Sequence, residues 1–103
     1  MLNFFRKNPK PIFRFKESEN TACITCDHVL TEKMPILYAS HSADDGFWQF
    51  LCGQDNHSEE NSKLISLRQA TLIDPSINDL FEMPLGVGAV RESKSEIWKP
   101  FRI

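Results

Sequence analysis

The sequence predicts an α+β domain, with an antiparallel sheet of four or five strands and one or two short helices on one face. Three features carry that expectation. First, the apolar segments "PILYAS" and "FWQFLC" flank an Asp45-Gly46 turn and read as a hairpin. Second, alternation in "FWQFLC" puts Trp48, Phe50 and Cys52 on one face and Phe47, Gln49 and Leu51 on the other. Both faces are apolar, which places this strand in the middle of the sheet. Third, Ser66 with Gln69 three residues on forms a capping box, and Asp74-Pro75 precedes Ile77, Leu80 and Phe81 at helical spacing.

Taken in order, residues 1–20 read as a basic N-terminal arm or edge strand and residues 21–103 as a single α+β domain. A chain of 103 residues can bury an adequate core without disulfide staples. Pro9 and Pro11 bar regular structure at the start, after which Phe13 and Phe15 alternate with Arg14 and Lys16 in an amphipathic strip. "ESEN" is a turn. "TACITCDHVL", rich in β-branched and small apolar residues, is the first strand, and "EKMP" breaks it. The hairpin follows, with Ile36 and Tyr38 sharing a face of its first strand. "QDNHSEENS" is a polar loop, and a short helix runs from Ser66 through Ile73. The "DPSINDLF" helix ends at "MP", "GVGAVRES" is the last strand, and "EIWKPF" is a tail whose Trp98 packs back.

Charge narrows the function classes. The net charge of −2 is mild, but its distribution is uneven. Arg6, Lys7, Lys10, Arg14 and Lys16 precede the first acid, leaving seven bases against fourteen acids from Glu17 onward. An acidic body repels nucleic acid, so only the arm, with Phe4, Phe5, Phe13 and Phe15 among its cations, offers a strip that stacks on bases and neutralises phosphates. No run approaches the roughly 18 apolar residues of a membrane helix, and the start has no signal-peptide h-region. Three cysteines fit no closed disulfide framework, which points to reduced thiols and the cytoplasm.

Cys23-Ile-Thr-Cys26 is the most chemically suggestive motif. With His28, Cys52 and His57 it supplies the sulfur and nitrogen ligands that zinc prefers. Against this, Ile24 and Thr25 are β-branched and suit a strand, in which residues three apart point to opposite faces. The sequence therefore predicts buried strand cysteines and no metal or other cofactor. A thioredoxin-like use fails for want of a helix start in "DHVLTEK". A Cys52 nucleophile would need His57 or His41 as base, yet Cys52 shares a face with Trp48 and Phe50 and reads as core. Gly86-Val-Gly88 lacks the remainder of a dinucleotide fingerprint and reads as a close backbone approach on a strand.

The order "CDHVL…PILYASHSADDGFWQFLCG…DPSINDL…MPLGVGAVRES…W" resembles a family of small bacterial proteins of unknown function, some of which look like toxin-immunity proteins. The match covers about Thr21 to Trp98 and rests on Asp45, Gly46, Trp48, Phe50, Gly53, Asp74, Pro75, Gly86 and Arg91. It implies a non-enzymatic inhibitor, monomeric or homodimeric, and carries over no catalytic residue. The acidic body agrees with a protein partner of basic surface, met through Asp44, Asp45, Asp55, Glu59, Glu60 and an exposed Trp98. A zinc-binding protein or metal-assisted enzyme built on Cys23 and Cys26, and a nucleic-acid accessory protein using the arm, are the alternatives.

Overall fold

The structure, a computed structural model, describes residues 12–54 and 59–103, without the side chain of Glu59. Residues 1–11 and 55–58, and with them most of the arm as well as Asp55 and His57, lie outside the described residues.

Six strands form one mixed sheet: β1 (Ala22–Cys26), β2 (Tyr38–His41), β3 (Trp48–Leu51), β4 (Ser62–Ser66), β5 (Val87–Val90) and β6 (Lys99–Arg102). Their order is β4-β1-β3-β2-β5-β6. Four of the pairings are antiparallel, and β1 runs parallel to β3 with Thr25 opposite Phe50. The α+β class holds, while the expected four or five antiparallel strands become six with one parallel pair. After β1 the chain crosses to the far side of the future β3 and lays down β2. The hairpin then returns β3 between them, parallel to β1. Gly46 (φ +76°) makes that hairpin possible, since its left-handed backbone is strained for other residues.

Strand β1 is shorter than the sequence suggested. Its extended backbone ends at Cys26, and Asp27–Thr31 coil into α1, with Glu32 N and Met34 N both donating to His28 O. Five residues are too few for helical periodicity to show against a strand-like composition. α2 (Leu67–Ile73) starts as predicted: Ser66 Oγ accepts from Gln69 N at 3.0 Å. Asp74 caps a 3₁₀ helix over Pro75–Leu80, accepting from Ser76 N at 3.0 Å.

The β-sheet alternation sorts the side chains. Thr25, Ala39, Trp48, Phe50 and Ala89 lie on one buried face, and Thr25 Oγ1 donates to Phe50 O at 2.6 Å. Leu67, Ala70, Ile77 and Leu80 of the helical segments join the same core. Burying each large apolar side chain contributes about 1.5–3 kcal/mol. Residues 12–15 are not a paired strand. Phe15 is buried edge-on against Trp48, ring centroids 4.9 Å apart, so this part of the predicted arm belongs to the core. The side-chain amide of Asn78 holds it there, accepting from Arg14 N at 2.9 Å and donating to Ile12 O at 3.1 Å. Gly88 meets the expected close approach, because a Cβ there would sit 2.9 Å from Ala39 O. No helix among the described residues is long and apolar enough to cross a membrane.

One polar group is sealed inside this frame. Arg91 donates from Nη2 to Asp74 Oδ2 (2.8 Å) and Ile36 O (2.9 Å), and from Nε to Ile36 O (3.1 Å). Its Nη1 donates to Ser76 Oγ (2.9 Å) and Lys94 O (3.0 Å), and its guanidinium lies 4.0 Å from the centroid of the Trp98 ring.

Candidate metal centre

A parallel pair of strands places both C-terminal ends at the same end of the sheet. At this end β1 finishes with Cys26, β3 runs out into Cys52, and α1 begins with Asp27-His28. As a result, one ligand atom each from Cys26, His28 and Cys52 lies within 4.8 Å of the other two. Cys52 Sγ lies 3.8 Å from His28 Nδ1. Both cysteines are buried and reduced, while His28 is partly open to solvent.

These separations suit a tetrahedral thiophilic ion. With Zn–S near 2.3 Å and Zn–N near 2.0–2.1 Å, ligand atoms at tetrahedral angles lie roughly 3.5–3.8 Å apart. Side-chain adjustments of about 1 Å or less would close the remaining gaps. Two sulfurs and an imidazole are also the donors that zinc takes in preference to hard cations such as calcium or magnesium.

Supporting contacts come from the flanking segments. Asn61 Nδ2 donates to both oxygens of Asp27, at 3.2 Å each, and Asp27 Oδ1 lies 3.9 Å from His28 Nδ1. Pairing of Ser62 with Cys26 brings the start of β4 to the same place.

The arrangement argues against a thiol nucleophile. Burial pushes the Cys52 thiol pKa up, and the neighbouring Cys26 adds to the effect, whereas a nucleophile needs a lowered one. The Cys52 sulfur and the Asp27 carboxylate also approach the same nitrogen, Nδ1 of His28. A nucleophile–base–acid relay strings its groups across both ring nitrogens.

The sequence-predicted residues are therefore redistributed. Cys23 is fully buried, its thiol pushed up to about 12 by desolvation, and stands outside the cluster; as strand geometry predicted, it and Cys26 diverge, and Cys26 lies instead with Cys52 and His28. The helix start missing from the sequence reading is present, with Cys26 itself as the N-cap of α1. His41 does not serve Cys52. It stacks on Trp48 at 3.9 Å between ring centroids, with Nδ1 2.8 Å from Met83 O.

The proposed acidic surface is divided. Asp44 and Asp45 are exposed in the turn before β3, where Asp45 Oδ1 accepts from Phe47 N at 2.9 Å. Glu59 and Glu60 lie beyond the other end of β3, a four-residue strand of about 13 Å. Trp98 is buried, not exposed, because Arg91 covers its ring.

No protein-family model, curated protein or solved structure matches the chain. Functional inference therefore rests on the site.

Proposed function

We propose that the protein binds a thiophilic divalent ion, zinc above all, through Cys26, His28 and Cys52. The single observation behind this reading is the meeting of three soft ligand atoms from two separate points of the chain, Cys26-Asp27-His28 and Cys52, at one end of the sheet. A weak thiol–imidazole hydrogen bond links two of them, and a cation would engage all three. The ion would tie the end of β1, the first turn of α1 and the exit of β3 together. The role we assign is that of a metal-stabilised binding protein rather than a thiol enzyme. The fourth coordination position would fall to a water, another side chain or an external ligand.

Elemental analysis of protein purified without a histidine tag tests this. One equivalent of zinc per chain is expected, and replacement by cobalt should give thiolate-to-metal charge-transfer bands. Cys26→Ser and Cys52→Ser should each abolish those bands, while Cys23→Ser should leave them unchanged. Metal-free wild-type protein that takes up neither ion overturns the reading, and this needs no variant to fold.

A further inference from the structure

A second feature, independent of the metal centre, lies toward the opposite side of the sheet. A groove of about 380 Å³ runs between the 3₁₀ helix, β5 and the segment entering β6. Leu80, Met83 and Val87 line it, with Ile97 and Trp98 along one side. Ile97 is 85% exposed, the most exposed large hydrophobic side chain among the described residues. Asp79 and Glu82 also line the groove; both are exposed and neither forms an ion pair among the described residues.

The two tryptophans differ in a way that bears on this groove. Trp48 Nε1 donates to Glu17 Oε2 at 3.0 Å. Trp98 Nε1 is equally a donor, is buried, and has no acceptor among the described residues. A buried N–H without a partner costs free energy that an incoming acceptor recovers. Trp98 lines the groove, and because Nε1 itself is closed to solvent, a shift of the ring is needed to bring its indole edge to an incoming acceptor.

We infer that this groove receives a basic, apolar peptide segment of a partner protein. An aliphatic or aromatic side chain would fill the space beside Leu80, Met83 and Ile97. Lysine or arginine side chains would meet Asp79 and Glu82, and, with a shift of the Trp98 ring, a peptide carbonyl would accept from its Nε1. The acidic charge of the body, fourteen acids to seven bases from Glu17 onward, draws such a segment in and repels nucleic acid.

The test uses the full chain and a six-residue peptide of alternating leucine and arginine, acetylated and amidated, followed by ¹⁵N NMR. The Trp98 indole resonance should shift on titration while that of Trp48 stays in place. Asp79→Asn combined with Glu82→Gln removes exposed charges only and should weaken binding about fivefold. A Trp98 resonance unmoved at millimolar peptide overturns the proposal, as does equal binding by the charge variant. Binding that emerges only after removal of residues 1–11, which carry Phe4, Phe5, Arg6 and Lys7, would assign the groove to the chain's own arm and likewise overturn it.

Discussion

Two buried polar groups in this protein are built on opposite principles. Around Arg91 the network is closed: each guanidinium nitrogen has a protein acceptor, and Asp74 supplies the countercharge at 2.8 Å. Around Cys26, His28 and Cys52, soft ligand atoms converge, and the contacts seen there, such as Cys52 Sγ to His28 Nδ1 at 3.8 Å, run between the ligands themselves. The first group needs nothing from outside and reads as architecture. It joins the 3₁₀ helix, the start of the β2 segment and the chain after β5. The second gathers the donor types that a thiophilic ion takes, which is why we propose it as a binding site. Buried charge alone therefore does not identify function; whether the protein itself completes the coordination does.

The largest expected effect breaks the closed network. Arg91→Ala should cost about 3–5 kcal/mol in chemical denaturation, because it strands the buried Asp74 carboxylate and the Ile36 carbonyl. Zinc stoichiometry at low temperature should be unaffected in the fraction that stays folded. A cost below about 1 kcal/mol would mean that the network is not the structural element described, and the contrast between the two regions would lose one side.

The next effect concerns the open site. Thiols ligate only after losing their protons, so metal competes with protons there and zinc affinity should fall as pH falls. With two thiols displaced, the dissociation constant should rise up to about a hundredfold per pH unit on acidification, as read by competition with a chromophoric chelator between pH 6 and 8. A flat profile would remove both cysteines from the coordination shell and leave at most His28.

How much of this was legible in the sequence follows from the same physics. The hairpin, the Ser66 cap and the Asp74-Pro75 helix start were readable because each is a local device whose residues sit within four positions of one another. The two strands that sequence reading misses, β4 "SKLIS" and β6 "KPFR", are the two edges of the sheet. Edge strands are short and polar and tolerate proline, so they lack the apolar alternation that gave β3 away. The metal centre was half legible. Cys26, His28 and Cys52 stood among the candidates, but the local spacing drew attention to Cys23 as the partner of Cys26. The proximity of Cys26 to Cys52 depends on the parallel contact between β1 and β3, a tertiary fact that no spacing of residues encodes. An all-antiparallel meander would have kept β2 between β1 and β3 and so held their ends two strand spacings apart.

The smallest effect is the one that best separates the two cysteine pairings. Cys23 is fully buried and outside the cluster, so Cys23→Ala should remove only packing, costing about 1 kcal/mol at pH 7 and leaving zinc binding intact. Its pH dependence supplies a second readout. The folded-state thiol is pushed up to about 12 from a model-peptide value near 9. Below pH 9 both folded and unfolded chains hold the proton, and the thiol's contribution is fully present. As pH rises from about 9 toward 12 the unfolded chain releases that proton and the folded one does not, so wild-type stability declines through this window. The alanine variant has no such term, and its deficit should shrink or reverse in alkali. Equal slopes for the two proteins, measured by urea denaturation at pH 8, 9 and 10 without metal, would mean that Cys23 is not held as a buried neutral thiol. Loss of zinc from Cys23→Ala at pH 7 would return the metal centre to the local Cys23–Cys26 pair.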